Sequence, residues 1–112
     1  MILTLLKFEI KGEQFFPSQI KGKIALQKNV VLIVKTQARA LYVDYIGNDS
    51  NIGAYNPPVF LSGKIYFYEV VKIPEEYSSY IKCIAKEIEN KLNPLYKNKN
   101  LNCKDDITVV VK

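Results

Sequence analysis

Alternation of apolar and polar residues dominates the chain before residue 74 and predicts a series of short β-strands. Residues 6–10, 20–26 and 38–46 each alternate in this way, which is typical of strands with one buried face. Val30 to Val34 is an uninterrupted apolar run, as expected for a strand that is buried on both faces. Gly, Pro, Asn and Asp separate the runs and supply the turns. Further strands are predicted at 59–61, 65–73 and 107–111.

Residues 74–96 do not alternate, and their apolar side chains recur at intervals of three and four, which indicates an amphipathic helix. Pro74 and the two glutamates after it suit a helix N-terminus, because proline fits the first turn and carboxylates favour its positive dipole end. Strand phase also fits part of this segment, since it places Ile81 and Cys83 on one face and Lys82 on the other. The stripe that the helical period would bury consists of Tyr77, Ile81, Ile84, Ile88 and Leu92.

Residues 15–18, Phe-Phe-Pro-Ser, lead into residues 20–24, which are written as apolar-x-Gly-x-apolar. Further along the chain, the aromatic-rich segment 65–70 is followed by Ile73 and Pro74. This order resembles that of arrestin-like domains, in which an aromatic residue and Pro-Gly precede such a strand. The segments that look like the closing strands of that family are 78–85 and 107–110. The resemblance implies an immunoglobulin-like β-sandwich that acts as a protein-binding scaffold, with no catalytic residues to carry over.

Two fold classes are compatible with these patterns, and both describe residues 1–112 as a single domain. A chain of 112 residues can bury one core without metal or disulfide support. The resemblance favours an all-β fold, an immunoglobulin-like or arrestin-like β-sandwich, because residues 78–88 would then complete the second sheet. The alternative is an α+β fold, an antiparallel sheet with one amphipathic helix near residues 75–93. We expect the sandwich. The presence or absence of a helix near residues 75–93 decides between the all-β and the α+β fold.

The chain contains no histidine, and Cys83 and Cys103 are its only cysteines. Two cysteines cannot supply the four ligands of a structural zinc site, and Ser-His-Asp or Cys-His catalysis requires histidine. We therefore expect no enzymatic activity, no catalytic or metal-binding residues and no cofactor. The two cysteines are expected to be buried, reduced thiols, with a Cys83–Cys103 disulfide as the alternative.

No apolar run approaches the about 18–20 residues that a membrane-spanning helix requires. The N-terminal segment, residues 1–9, lacks the basic region and small-residue cleavage site of a secretory signal. The sequence thus predicts a cytoplasmic protein without a membrane span.

The net charge of +5 is unevenly distributed, because both ends of the chain are basic and the middle is acidic. A basic surface favours nucleic-acid binding. Arg39, however, is the only arginine among 16 basic residues, and arginine is the residue that recognises guanine by two parallel hydrogen bonds. The residues that would form a phosphate-facing patch are Lys21, Lys23, Lys28, Lys35 and Arg39.

A long loop, residues 47–58, and the tyrosines that follow it suggest a surface for a protein partner. In a strand, Tyr66 and Tyr68 share one face and Phe67 takes the other, so a buried Phe67 would leave both tyrosines exposed. Tyrosine combines contact area with a hydroxyl group, and loops on a rigid sheet often carry function. The alternative is that these tyrosines cover a second sheet. The candidate protein-binding residues are Tyr55, Tyr66, Tyr68, Asn51 and Asn56.

Three hypotheses for function follow. The first is a small non-enzymatic scaffold or adaptor that binds a protein partner. The partner could be a second copy of the chain, bound through an edge strand. The second is a basic nucleic-acid-binding protein. The third is a small metal-dependent phosphodiester enzyme that uses the acidic side chains, but their spacing does not select Mg²⁺ binding over simple solubility. These acidic residues are Asp49, Glu75, Glu76, Asp105 and Asp106.

Overall fold

The chain combines an antiparallel sheet of four strands with one long helix. The computed structural model describes residues 4–8, 12–103 and 107–111. Within these residues the elements are β1 (Thr4–Phe8), β2 (Gly12–Phe15), α1 (Pro17–Ile20), β3 (Val30–Lys35), β4 (Ala40–Ile46), β5 (Phe67–Lys72), α2 (Ile81–Leu92) and β6 (Ile107–Val111). Short 3-10 helices span Ile52–Ala54, Val59–Leu61 and Glu75–Tyr80.

The central element is β3, which pairs with β5 on one side and β4 on the other. The strand order is β2-β5-β3-β4, and every neighbouring pair is antiparallel. The first and last strands, β1 and β6, form a separate parallel pair. All five residues from Val30 to Val34 are 0% exposed. The prediction that this run is a strand buried on both faces is therefore confirmed.

Two hydrophobic clusters cover the two faces of the four-stranded sheet. Val31 and Ile33 lie on the face against which α2 packs, which we call the helix face. Val30, Leu32 and Val34 lie on the opposite face, the loop face. The side chains that cover the loop face come from short helical turns and the loops between them: Ile20, Ile24, Ile52, Tyr55 and Leu61.

The α2 helix decides between the two predicted fold classes. Ile81, Ile84 and Ile88 are at most 6% exposed and belong to the helix-face cluster, so the helical period correctly identifies the buried stripe. Asn93 ends the helix in the left-handed conformation, with φ of 47°. The expected all-β sandwich is thus wrong for this segment, because the residues assigned to a closing strand form a helix. The structure has the α+β architecture of the alternative.

Two predicted strands are also absent from the described sheet. Residues 21–26 form a succession of turns after α1, because Pro17 initiates a helical turn and Gly22 allows the chain to bend. Val59–Leu61 is a 3-10 helix rather than a strand. It is held between two prolines and a Ser-Gly turn, and the resulting run is too short for regular pairing.

Residues 93–103 return along the free side of β4 and cover that edge of the sheet. The Leu95 N–H donates to the Ala40 carbonyl at 3.2 Å, and the Tyr96 N–H donates to the Leu41 carbonyl at 2.8 Å. Asn98 then donates from Nδ2 to the Val43 carbonyl at 3.0 Å. These bonds satisfy backbone groups that an open edge would offer to another chain.

A disulfide joins Cys83 in α2 to Cys103 at the end of this covering segment. Their Cα atoms are 4.7 Å apart, within the range that a disulfide requires. The expectation of two reduced thiols is therefore wrong, because the fold returns the chain to the start of α2. The predicted cytoplasmic location loses the support that reduced thiols would give it. None of the described helices has the length and apolar character needed to cross a membrane.

Replacing both cysteines, as Cys83→Ala with Cys103→Ser, should lower the free energy of unfolding by about 2–4 kcal/mol. The reason is that the disulfide restricts the unfolded chain over a sequence separation of 20 residues. Urea unfolding followed by circular dichroism measures the change. The unmodified chain in excess dithiothreitol serves as the control and should unfold at the same midpoint as the double variant. Equal midpoints for the oxidised chain and the double variant would contradict the prediction.

Candidate functional site

An open cleft of about 730 Å³ lies at one end of the sheet. It is formed by the C-terminal ends of β2 and β3, the start of α1 and the N-terminal end of β5. This volume is in the range of small-molecule and peptide sites. Its apolar lining consists of Phe15, Phe16, Ile65, Tyr66 and Phe67. Its polar lining consists of Gln14, Gln19, Lys35, Thr36 and Gln37.

Two large apolar side chains of the cleft are unusually exposed. Phe16 is 65% exposed and Ile65 is 95% exposed. Phe15 is buried in the loop-face cluster, so its neighbour Phe16 cannot enter the same cluster. Ile65 lies between Gly63, which turns the chain with φ of 78°, and the first residue of β5. Exposed apolar side chains that share one concave surface indicate a contact site.

The cleft carries little net charge. Lys35 is the only charged residue among its described lining residues, and its Nζ lies 3.0 Å from Oε1 of Glu69. A Cβ atom on Gly12 would collide with the Glu69 side chain, so the glycine leaves room for that side chain between β5 and β2. Because the ion pair neutralises the lysine, the cleft does not present a site for phosphate.

Glutamine side chains provide most of the hydrogen-bonding groups of the cleft. Gln19 Oε1 accepts from the Phe16 N–H at 2.7 Å and so fixes the first turn of α1. Gln14 is exposed on β2, and Gln37 is exposed in the β3–β4 turn. An amide side chain both donates and accepts, and so matches the peptide groups of another chain.

A second and smaller cavity, of about 280 Å³, lies on the loop face of β2, and Phe15 lines both this cavity and the cleft. Phe15, Ile24 and Val70 form its apolar wall, and all three belong to the loop-face cluster. Gln27 also lines it, and the Oε1 atom of Gln27 is buried without a hydrogen-bond partner in the described part of the chain. The charged residues of this cavity are Glu13, Lys23 and Lys72.

The expected exposed pair of tyrosines is not present. Tyr68 is 0% exposed and Tyr55 is 9% exposed, whereas Tyr66 is half-buried. The prediction is wrong because Tyr68, not Phe67, points to the loop face, where residues 16–27 and 47–61 cover it. Tyr55 and Tyr68 meet edge to face, with their ring centroids 6.3 Å apart.

The hydroxyl groups of these two buried tyrosines differ in their partners. Tyr55 donates from Oη to Oδ2 of Asp44 at 3.0 Å. No described atom hydrogen-bonds to Oη of Tyr68, although the Tyr66 ring lies edge-on at 5.5 Å. Burial raises the pKa of both hydroxyl groups; the Asp44 carboxylate raises the pKa of Tyr55 further, and the neighbouring Tyr66 hydroxyl group raises the pKa of Tyr68 further.

The two asparagines named with the tyrosines have different places. Asn51 Oδ1 accepts from the Ala54 N–H at 3.1 Å and caps the 3-10 helix Ile52–Ala54. Asn56 is exposed. The predicted loop is partly folded onto the sheet, because Ile52 is buried in the loop-face cluster. The Ile52 N–H also donates to the Gln27 carbonyl at 2.9 Å.

The five basic residues of the nucleic-acid hypothesis do not lie on one hairpin. Lys21 Nζ donates to the carbonyls of Gly53 and Tyr55, at 2.9 and 3.0 Å, and so joins two covering segments. Lys28 precedes β3 and Lys35 ends it, which separates them by roughly 20 Å along an extended chain. Lys35 is also held by its carboxylate partner. The remaining basic residues, which are exposed with Lys28, are Lys23 and Arg39.

The acidic residues do not form a described metal site. Glu75 and Glu76 are exposed in the first turn of the 3-10 helix Glu75–Tyr80, and Asp49 is exposed in a turn. Asp105 and Asp106 lie outside the described residues. Within the described ranges no three acidic or cysteine side chains converge on a point where a metal ion could bind.

Phe16 and Ile65, the two exposed side chains of the cleft, are the residues that sequence reasoning missed. A hydrophobicity pattern assigns such residues to the core, so it gives no signal that they remain exposed. No protein family, curated protein or solved structure matches the chain. The function must therefore be inferred from the geometry.

Tyr55→Phe should lower the free energy of unfolding by about 1–3 kcal/mol, because it leaves a half-buried carboxylate oxygen without its donor. Tyr68→Phe is the matched control, since it removes a buried hydroxyl group without a hydrogen-bond partner among the described atoms, and it should leave the free energy of unfolding unchanged or raise it. Urea unfolding of both variants makes the comparison. A larger loss in Tyr68→Phe than in Tyr55→Phe would refute this assignment of partners.

The chain should lose stability as the pH rises above about 10. Burial raises the pKa of Tyr42 to about 12 from the ordinary 10.0, and Tyr55 and Tyr68 shift in the same direction. Between these values the unfolded chain releases phenolic protons that the folded chain retains, so unfolding becomes more favourable with pH. Each such tyrosine contributes roughly 1.4 kcal/mol per pH unit.

Urea midpoints measured between pH about 9 and about 11 test this, with the tyrosinate absorbance recorded in parallel. The slope against pH should be smaller in Tyr55→Phe than in the unmodified chain. A stability that does not change with pH in this range would contradict the prediction.

Proposed function

We propose that this chain is a small non-enzymatic protein-binding domain and that the cleft at the end of the sheet receives a segment of its partner. The observation that supports this best is the exposure of Phe16 and Ile65 within one concave surface. Burial of two such side chains by a partner removes apolar area from water, which is the main favourable contribution to most protein association.

The chemistry of the cleft suits a peptide better than a nucleic acid. Its lysine is neutralised by Glu69, whereas nucleic-acid binding depends on several cations that contact phosphates. The glutamine amides can donate to peptide carbonyls and accept from peptide N–H groups. The partner segment is therefore expected to carry apolar side chains and to bind through its backbone as well. A second copy of this chain would be one such partner.

Peptides selected by the chain from a random phage-displayed library should bind through the cleft. Ile65→Ser and Phe16→Ser should each weaken the binding of the selected peptides by at least roughly fivefold, because each removes a contact of about 1 kcal/mol or more. Leu26→Ser is the matched control, since Leu26 is 84% exposed but does not line the cleft. Fluorescence anisotropy with labelled peptides gives the affinities, and circular dichroism checks that each variant is folded.

Equal binding by Ile65→Ser, Phe16→Ser and Leu26→Ser would overturn the proposal, as would a library from which no peptide is selected. A labelled single-stranded oligonucleotide tests the second hypothesis in the same assay. Oligonucleotide binding that decreases steeply with salt and is lost when Lys23, Lys28 and Arg39 become Glu would favour nucleic-acid binding instead.

A further inference from the structure

We infer that the partner segment binds as an extended strand added to the open edge of β2, with its side chains received alternately by the two cavities on the two faces of that strand. This inference rests on the proposed function, because it specifies how a peptide would occupy the cleft. It adds a chemical pattern for the peptide: an apolar side chain on one face and an acidic side chain at the next position, on the other face.

The two edges of the sheet differ in what covers them. The β4 edge is covered by backbone hydrogen bonds from residues 93–103. The β2 strand pairs with β5 on one side, and no strand in the described ranges pairs with its other side. Gly12, Glu13 and Gln14 are exposed there. An open edge offers unpaired N–H and C=O groups to an extended chain, and strand addition at such an edge is a common mode of peptide recognition.

The sequence of β2 lacks several of the features that usually block such an edge. Proline, lysine and bulges prevent the addition of another strand to many exposed edges. Gly12–Phe15 contains neither proline nor lysine and pairs with β5 in regular register. This edge is therefore suited to accept another strand.

Alternation along β2 connects its edge to both cavities. Gln14 lies opposite Glu69 on the helix face and lines the large cleft together with Phe16. Glu13 and Phe15 lie on the loop face and line the small cavity, and Phe15 also borders the cleft. Successive side chains of an added strand also point to opposite faces, next to those of the strand it pairs with. Consecutive residues of the peptide would thus reach the two cavities in turn.

The two cavities differ in charge, and this difference sets the chemistry of the peptide. The large cleft contains exposed apolar side chains and a neutralised lysine. Around the small cavity, Lys23 and Lys72 outnumber Glu13, so its charged residues carry a net positive charge. An acidic side chain next to Phe15, rather than next to Glu13, complements this cavity, and an apolar side chain complements the cleft.

Two blocked octapeptides test the pattern: one alternates valine with glutamate, and the other alternates valine with lysine. By fluorescence anisotropy, the chain should bind the glutamate peptide roughly fivefold or more tightly than the lysine peptide, as expected for exposed charge pairs. The double variant Lys23→Glu with Lys72→Glu should reverse this order. Lys28→Glu with Lys99→Glu is the matched control, because it makes the same change in net charge at exposed lysines that do not line the cavity.

A glutamate peptide with alternate backbone nitrogens methylated should not bind, because it cannot form the hydrogen bonds of an added strand. Hydrogen exchange followed by mass spectrometry should show slower exchange in residues 12–15 when the unmodified glutamate peptide is present.

Failure of the inference is distinguishable from failure of the proposed function. If phage-selected peptides depend on Ile65 but the wild-type chain binds neither octapeptide, or does not prefer the glutamate peptide, the strand-addition inference is wrong and the cleft proposal stands. The inference is also overturned if the control variant Lys28→Glu with Lys99→Glu loses the preference for glutamate as fully as Lys23→Glu with Lys72→Glu does. Binding of the methylated peptide as tight as that of the unmodified peptide would overturn it too. If no phage-selected peptide depends on the cleft, the proposed function fails first.

Discussion

Pairing of β3 on both sides, together with burial of both of its faces, is the constraint on which the rest of the structure depends. The run Val30–Val34 has no polar side chain, so each face of the strand must be covered by other parts of the chain. Complete burial of five aliphatic side chains contributes on the order of 1.5–3 kcal/mol for each. A single helix cannot cover both faces of a sheet, and the fold therefore requires a second covering layer.

That second layer is irregular, and its irregularity explains where the cavities are. On the helix face, α2 presents a regular apolar stripe to β3 and β4. On the loop face, short segments are joined by isolated hydrogen bonds, such as those from Lys21 to the carbonyls of Gly53 and Tyr55. Tyrosine rings fill the space that such segments leave, at the cost of burying hydroxyl groups. At β2 neither layer extends over the whole strand, and a cavity lies on each of its faces.

The sequence predicted the parts of the fold that depend on local periodicity. The aliphatic run of β3 indicates a buried strand, and the helical stripe containing Ile84 and Ile88 supports the α+β alternative, although strand phase also fits part of that segment. Alternation alone cannot say which of two faces is buried, and this is why Tyr68 was expected on the surface. Tyrosine is compatible with both environments. The strand expected at residues 20–26 fails for a similar reason, since alternation in turns resembles alternation in a strand.

The candidate site depends on tertiary arrangement and therefore could not be predicted from local pattern. Phe16 and Ile65 are far apart in the sequence, because strands β3 and β4 lie between them. Only the pairing of β2 with β5 brings their segments together. The same pairing leaves one edge of the sheet open, while the segment that ends at Cys103 covers the other edge. A long unprotected edge strand is a site of aggregation, and short edge strands reduce this risk. With only four residues in β2, the open edge is long enough to hold a short peptide and short enough to limit that risk.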